Sequence, residues 1–225
     1  MLSQPAHRRT ACFLAAEGAL YLAFLYGDVF RGGADTVLLK YGSIALCFAM
    51  SLLEACRGGE RLMALGMALT LGADTFLLLL DRWYLAGVLL FFGVQLVYWA
   101  RLARADGGRL RLGTRAVLTG ALLLALALPG ALTPLTGAAA VYLAQFLSNL
   151  LQCRRADAPW RGQFFWGLAL YLACDLCVGL FQTPRLVPDW AQDPVRVGMW
   201  LFYLPGQVLL VLSGREKGEH GEKRE

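Results

Sequence analysis

Apolar stretches of about twenty residues follow one another along most of the chain, and they constrain the fold more than any other feature. A helix needs about 20 apolar residues to cross a bilayer, and eight such stretches can be drawn. Of the 225 residues, 58% are hydrophobic and 16% are charged, against roughly 45–50% and about 25% in globular proteins. A water-soluble fold could not cover its surface with so few polar residues. The sequence therefore predicts an all-α, polytopic membrane helix bundle with eight transmembrane helices.

The connections between these stretches are short and rich in glycine, proline and charged residues. The predicted spans are residues 10–30, 35–56, 61–80, 83–103, 112–129, 131–152, 162–181 and 196–213. The longest connection, 182–195, contains prolines, which predicts an ordered surface loop and not a further helix. Residues 1–213 are thus expected to form one integral membrane domain, and residues 214–225 a charged cytoplasmic tail.

Lysine and arginine counts predict the orientation, because cytoplasmic connections carry an excess of these residues. With eight spans, sixteen of the 21 Lys and Arg residues fall on the side of the termini and four on the other side. The remaining one, Lys40, lies inside a span. Both termini are therefore predicted to be cytoplasmic, and a bacterial plasma membrane is the expected location. The net charge of +5 fits anionic lipid headgroups, and no nucleic acid partner is expected.

The rarity of histidine excludes several kinds of catalytic site. The two histidines, His7 and His220, lie in the polar end segments. A histidine-based zinc site or a Ser-His-Asp triad is therefore not expected inside the bundle. The six cysteines lie in apolar segments without the spacing of a disulfide framework. The sequence predicts neither a metal nor an organic cofactor.

Four polar residues share one predicted depth in the non-cytoplasmic half of the membrane. Asp74 and Asp175 each lie about six residues, or roughly 9 Å, below the end of their helix, and Lys40 and Tyr203 lie at about the same level. Charges inside a bilayer are costly and normally face a bundle interior or a wet cavity. We predict one cavity, lined by these four residues and open to the non-cytoplasmic side. The alternative is a structural ion pair of Lys40 with one aspartate.

Other polar residues lie within the spans as well. Glu17 is deeper in the membrane, where Gln95 and Gln207 are its expected hydrogen-bond partners, and both a structural and a functional role stay open. The remaining residues of this kind are interpreted as hydrogen-bonding groups between helices: Tyr98, Tyr142, Gln145 and Asn149.

A short internal repeat supports the grouping of the two aspartates. Leu71-Gly72-Ala73-Asp74 is similar to Leu172-Ala173-Cys174-Asp175, 101 positions later. Each segment is followed by a helix that bears a Tyr and a Gln. Two parallel four-helix repeats, related by an axis along the membrane normal, would bring the two aspartates face to face.

Motifs on several spans resemble those of the YhhN family of eight-span membrane proteins, which includes the lysoplasmalogenases. The matching positions are Lys40, Gly72-Ala73-Asp74, the series Gly87, Phe91, Gln95 and Tyr98, the pair Gly167 and Asp175, and the pair Tyr203 and Gln207. The chain departs from the family pattern at Gln95, where the family has a histidine, and at Tyr41, where it has a proline.

The resemblance implies hydrolysis of the vinyl ether bond of lysoplasmalogens, which gives a fatty aldehyde and a glycerophospho-alcohol. It implies that Asp74 and Asp175 are catalytic. The residues expected to bind substrate or support them are Lys40, Gln95, Tyr98, Tyr142, Tyr203, Gln207 and Glu17. The reaction needs one protonated and one ionised carboxyl group, much as glycosidases do, and Lys40 beside one aspartate would keep that one ionised. Membrane lipids, with a lysophospholipid as substrate, are the expected partners.

Two other function classes stay open. A small-molecule or proton-coupled transporter would also use paired aspartates and a lysine in a cavity, and parallel repeats suit that class. It would show coupled flux in proteoliposomes without any product. A non-enzymatic lipid-binding membrane protein would tolerate Asn at both aspartates with little loss of function.

Overall fold

The fold is a bundle of helices, as a computed structural model of the chain shows. The structure describes residues 4–30, 36–182 and 188–215, and within these ranges it has eight α-helices and no strand. The helices are α1 (Gln4–Phe30), α2 (Val37–Ala55), α3 (Arg61–Asp74), α4 (Tyr84–Ala105), α5 (Leu112–Ala127), α6 (Pro134–Cys153), α7 (Arg161–Phe181) and α8 (Asp189–Ser213). A π-helical turn, Thr75–Leu79, continues α3. The predicted all-α bundle is confirmed.

Six helices within the described ranges are long and apolar enough to cross a membrane: α1, α2, α3 with its π-helical turn, α4, α7 and α8. The chain is therefore a multi-pass membrane protein. The fifth helix, α5, is apolar but has only 16 residues. The sixth, α6, has 20 residues and a lower hydropathy because it carries several polar side chains. Those side chains are buried between helices: Gln145, Ser148, Asn149 and Gln152.

Two helices begin earlier than predicted. The first, α1, begins at Gln4 instead of residue 10, and α8 begins at Asp189 instead of residue 196. Pro188 is the N-cap of α8, and Pro194 lies inside the helix. Pro188 lacks an N–H that would have had no partner inside the helix. Pro194 lies further in and removes one backbone hydrogen bond of the helix. Neither loss prevents the helix from forming. Residues 183–187 of the predicted loop, Arg31 and residues 216–225 of the predicted tail lie outside the described residues.

Both ends of the described chain lie at the same end of the bundle. Arg9, in the second turn of α1, forms a 3.6 Å ion pair with Glu54 at the end of α2. The backbone N–H of Glu60, the N-cap of α3, donates to the carbonyl oxygen of Gly214, just after α8, at 2.8 Å. This end also carries the α2–α3, α4–α5 and α6–α7 connections. In and beside these connections and the two chain ends lie 13 of the 15 arginines of the described residues, and we call it the basic end.

The backbones of α7 and α8 come closest where two glycines face each other. A Cβ atom on Gly206 would lie 3.1 Å from the carbonyl oxygen of Gly167 and 3.1 Å from the backbone nitrogen of Tyr171. A Cβ atom on Gly167 would lie 2.8 Å from Cγ of Leu210. Small residues at such contacts let transmembrane helices approach closely. The contact sets Tyr171 of α7 beside Tyr203 of α8, with 5.5 Å between the ring centroids.

Candidate functional site

Asp74 lies where α3 changes into the π-helical turn. Such turns are rare and are frequently found at functional sites. Thr75, the first residue of the turn, donates a 2.8 Å hydrogen bond from its hydroxyl to the carbonyl oxygen of Leu71. The same hydroxyl lies 2.9 Å from the hydroxyl of Tyr41 on α2. These bonds fix the start of the turn, and with it the backbone that carries the buried Asp74 side chain.

Two tyrosine hydroxyls hold the two aspartates. Tyr203 of α8 donates to Oδ2 of Asp74 at 2.7 Å, and Tyr142 of α6 donates to Oδ2 of Asp175 at 2.5 Å. Asp74, Tyr203 and Tyr142 are buried, whereas Asp175 is only half-buried. Each carboxyl group is thus fixed by a phenol from another helix, and one of the two is accessible from the surface of the bundle.

Tyr171 joins the two halves of this arrangement. The ring of Tyr171 contacts the ring of Tyr203. It also contacts the ring of Phe91 on α4, with 5.9 Å between the centroids. The ring of Tyr142 lies 6.3 Å from the same Phe91 ring. Asp74 and Asp175 are within electrostatic range of each other, and the Tyr171 hydroxyl is within that range of both but has no hydrogen-bond partner among the described residues. We call Asp74, Asp175, Tyr142, Tyr171 and Tyr203 the aspartate site. It is a carboxyl pair enclosed by aromatic rings.

Lys40 forms its ion pair with a different aspartate from the two predicted. Its ammonium group lies 2.7 Å from Oδ2 of Asp28, near the end of α1. Within the described ranges no ion pair joins Lys40 to Asp74 or Asp175. The ammonium group also lies over the ring of Trp200, 5.0 Å from its centroid, and that ring packs edge-on against Tyr203 at 5.3 Å. Lys40 is therefore next to the aspartate site, with Trp200 between them. That these residues line an open cavity stays a prediction.

Glu17 has a partner other than those predicted. Its Oε1 atom accepts a 3.3 Å hydrogen bond from Sγ of Cys47 on α2, whereas bonds from Glu17 to Gln95 or Gln207 are absent among the described residues. Gln95 instead accepts two bonds from the Asn149 side chain, at 2.8 Å on its backbone oxygen and 3.0 Å on Oε1. Asn149 thus joins α6 to α4, and its predicted role between helices is confirmed.

Several buried polar atoms below the aspartate site have no hydrogen-bond partner within the described part of the chain. Thr70 lies one turn before Asp74 on α3, and Gln207 lies one turn after Tyr203 on α8, so both continue the faces that bear the site. The atoms are Thr70 Oγ1, both polar side-chain atoms of Gln207, Gln95 Nε2, the Tyr98 hydroxyl oxygen and Glu17 Oε2. Buried polar groups are normally paired, so the region below the aspartate site suits a polar ligand group or water.

Comparison with known proteins adds one finding to this geometry. The model of the YhhN family matches residues 35–214 of the 225. The chain belongs to the YhhN family. The matched range runs from α2 through α8 and includes the whole aspartate site and Lys40, whereas Asp28 and Glu17 precede it. No curated protein matches the chain, and neither does any solved structure.

In this YhhN protein, Tyr171 of the aspartate site and Trp200 beside the site were not predicted from the sequence. Tyr171 precedes Asp175 by four positions, which puts both on one face of α7, and this spacing was the signal available. Trp200 precedes Tyr203 by three positions on α8 in the same way. Both were hidden among the many aromatic residues of apolar spans, where an aromatic side chain is more often core or interface.

Two arginines near the α4–α5 connection are buried in the helices on either side of it. Arg101 of α4 is 2% exposed and donates to Ser213 Oγ at 2.8 Å, and its guanidinium lies 3.8 Å from the ring centroid of Trp160. Arg115 of α5 donates to Oδ1 of Asn149 at 3.0 Å. Both therefore lock helices together at the basic end, because a buried guanidinium needs several partners for its donors.

Proposed function

We propose that this YhhN protein is a membrane-embedded hydrolase that cleaves the vinyl ether bond of lysoplasmalogen, or of a related lysolipid, by carboxylate acid–base chemistry. The observation that carries the proposal is the carboxyl pair Asp74 and Asp175, each held by a tyrosine hydroxyl from another helix. Membership of a family that includes lysoplasmalogenases supports the same reaction.

The two carboxyl groups differ in surroundings, and we assign their roles on that difference. Two interacting carboxyl groups in a low-dielectric site hold one proton between them more readily than they ionise together. Asp74 is 5% exposed and is enclosed by aromatic rings, so we assign it as the general acid. Asp175 is half-buried and reaches the surface of the bundle, so we assign it as the ionised base that receives the substrate and the attacking water. Lysozyme divides two carboxyl groups in the same sense.

The reaction then proceeds in three steps: protonation, attack by water and collapse of the hemiacetal. Asp74 gives its proton to the alkenyl carbon that is not bonded to oxygen, and the adjacent carbon becomes an oxocarbenium ion. Water attacks the carbon of the oxocarbenium ion while Asp175 takes a proton from that water, which gives a hemiacetal. The hemiacetal then collapses: Asp175 gives its proton to the departing glycerol oxygen while Asp74 takes the hydroxyl proton, which releases the glycerophospho-alcohol and the fatty aldehyde. One water is consumed, and Asp74 is again protonated and Asp175 again ionised.

The surface beside Asp175 suits a substrate with one long apolar chain. On α7, the residues that follow Asp175 expose apolar side chains toward the membrane. Leu176 is 55% exposed and Leu180 is 41% exposed. A lysolipid can enter over this face with its headgroup toward the end of the bundle opposite the basic end, its ether oxygen at the half-buried Asp175 and its alkenyl chain directed deeper into the membrane. The unpaired polar atoms of Thr70 and Gln207 are available for the attacking water.

Release of fatty aldehyde by the purified full-length chain is the test. Lysoplasmalogen is incubated with the wild type, Asp74→Asn and Asp175→Asn, and the products are measured by mass spectrometry. General acid–base catalysis contributes roughly 10²–10⁴-fold, so each variant is expected to lose at least 100-fold of the rate. Asp157→Asn, at an exposed aspartate in the α6–α7 connection, is the matched control and should keep wild-type activity. Unchanged rates in both site variants, or coupled flux without product, would contradict the proposal.

We also propose that α5 and α6 cross the membrane with the other six helices, and that the basic end is cytoplasmic. The outward side chains of α5 are apolar: Val117 is 71% and Leu124 is 59% exposed. The polar residues of α6 point into the bundle, so its low hydropathy does not reflect the surface that it offers to lipid. The concentration of arginine at the basic end agrees with the rule for cytoplasmic connections.

A further inference from the structure

A cavity of about 230 Å³ lies at the basic end, between the start of α5 and the last turn of α6. It is separate from the aspartate site, and the proposed hydrolysis makes no use of it. Its lining includes Arg111, Arg154 and Arg155, together with Thr114, Ser148 and Gln152.

Positive charge is in excess around this cavity. Arg154 and Arg155 are exposed, and their side chains form no ion pair within the described ranges. Arg111 is bonded to Asp106, with Nε 2.8 Å from Oδ2. Arg115, buried behind the lining, donates to neutral amide oxygens, including Oε1 of Gln152 at 2.6 Å. Four guanidinium groups therefore adjoin a single bonded carboxylate, and the region suits an anion.

The backbone adds to this preference. Arg111, the N-cap of α5, has φ of 53° and ψ of 37°, and its side chain makes no cap hydrogen bond. The first N–H groups of a helix have no partner inside the helix, and the helix dipole makes that end positive. The first turn of α5, with the hydroxyl of Thr114, borders the cavity. Phosphate groups bind readily at helix starts of this kind.

The surroundings indicate a lipid as the source of that phosphate. Leu151 lines the cavity and is 47% exposed. Leu112 and Val117, on the adjacent part of α5, are 59% and 71% exposed. With α5 crossing the membrane as proposed above, this apolar surface faces lipid, and the arginines at its edge lie at the level of the phosphate groups of a bilayer. We propose that this cavity binds the phosphate of an anionic membrane lipid, with the acyl chains of that lipid against Leu112, Val117 and Leu151. Basic pockets between transmembrane helices have this use in other membrane proteins.

Lipid titration of the purified full-length chain, followed by native mass spectrometry, tests the inference. Phosphatidylglycerol is compared with phosphatidylcholine, which has the same phosphate and chains but no net charge. The double variant Arg154→Gln/Arg155→Gln removes two charges from the cavity. Arg57→Gln/Arg61→Gln removes two exposed charges from the α2–α3 connection at the same end of the bundle and is the matched control. Inorganic phosphate at millimolar concentration, added as competitor, distinguishes lipid from free phosphate.

The wild type is expected to bind phosphatidylglycerol more tightly than phosphatidylcholine. Arg154→Gln/Arg155→Gln should weaken phosphatidylglycerol binding by roughly 10–30-fold, on the usual contribution of each basic residue near a membrane surface. The control variant should bind as the wild type does, and inorganic phosphate should not compete. Equal weakening in both variants would show diffuse attraction to the basic end and would overturn the inference. So would equal binding of the two lipids, or competition by inorganic phosphate. Thermal unfolding of each variant establishes that the fold is retained.

Discussion

The hydroxyl of Tyr203 donates a 2.7 Å hydrogen bond to Oδ2 of Asp74, although 129 positions separate the two residues. The bond joins α8 to the junction of α3 and its π-helical turn, and both groups are buried. Tyr142 and Asp175 repeat the arrangement between α6 and α7. Under the predicted four-helix repeat, the counterpart of Tyr203 would lie on α4 instead of α6. The hydrogen bonds therefore do not follow the repeat, which stays a prediction.

Removal of either phenol should cost both stability and activity. Tyr203→Phe leaves the buried carboxyl oxygen of Asp74 without its donor, which is typically worth about 1–3 kcal/mol of stability, and Tyr142→Phe does the same to the half-buried Asp175, at a lower cost. We expect a lower melting temperature for both variants and slower aldehyde release from lysoplasmalogen. Tyr26→Phe is the control, because Tyr26 is 57% exposed. Wild-type melting and rates in both site variants would show that these hydrogen bonds are dispensable.

The close approach of α7 and α8 predicts a strong effect from one methyl group. A Cβ atom on Gly206 would lie 3.1 Å from two backbone atoms of α7, and backbone yields less than a flexible side chain. Gly206→Ala should force the helices apart and cost about 1–3 kcal/mol, measured by thermal unfolding in detergent. At Gly18 no atom lies within 4 Å of the added Cβ. Gly18→Ala should therefore be neutral or slightly stabilising. Equal melting of the two variants would contradict the packing argument.

The common level of Asp74, Asp175 and Tyr203 could be predicted from depth alone, but the pairing of the site residues could not. Counting residues from helix ends put Asp74 and Tyr203 at one level, and they are hydrogen-bonded. The same count placed Lys40 at that level, but a count of depth does not show which helix packs beside α2 and therefore which aspartate Lys40 meets. Two helices joined by a short connection run antiparallel, so residues at equal distance from the connection lie at one level. Asp28 and Lys40 are such a pair, and that signal was available in the sequence.

The helix bundle could be predicted more fully than its membrane spans. Hydropathy alone places the helices to within a few residues, except at two starts: α1 begins six residues earlier than predicted, and prolines made the start of α8 look like a loop. Hydropathy does not register which side of a helix is buried, and α6 shows the consequence. Its Gln145 and Asn149 lower the average hydropathy, yet they face other helices. Burial of Arg101 was likewise invisible, because its partners Ser213 and Trp160 are distant in sequence.

The ion pair of Lys40 and Asp28 should act as a unit. Removal of one partner leaves a charge in a poorly solvated position, which costs much more than the loss of both. We expect Lys40→Met and Asp28→Asn each to lower the melting temperature, and the double variant to be more stable than the sum of the two losses implies. Strictly additive losses would show that the two groups do not interact. Since Lys40 is not bonded to Asp74 or Asp175, Lys40→Met should leave the pH optimum of aldehyde release unchanged.

The pair of Asp106 and Arg111 predicts a pH-dependent contribution to stability. Hydrogen bonds from Arg111 lower the pKa of Asp106 below its ordinary value, which is about 3.9 in an unfolded chain. A group with a lowered pKa in the folded state contributes stability above the unfolded pKa, and this is lost as the pH falls through the folded pKa. Asp106→Asn should therefore melt below the wild type at pH 5–8, with the difference closing below about pH 4. A constant difference at all pH values would contradict the assignment.

Reporter fusions can decide whether α5 and α6 cross the membrane. If they do, a reporter after residue 107 in the α4–α5 connection and one after residue 130 in the α5–α6 connection will lie on opposite sides. If the two helices form a hairpin that does not cross, the reporters will lie on the same side. The rest of the topology is unaffected, because two helices fewer still leave an even number of spans.

A reporter after residue 82, in the connection that precedes α4, is the reference for the non-cytoplasmic side. We expect residue 107 to be cytoplasmic, and residues 82 and 130 to be on the other side, because arginine is concentrated at the basic end. Agreement between 107 and 130 would reduce the number of spans to six, and a cytoplasmic 82 would invert the orientation.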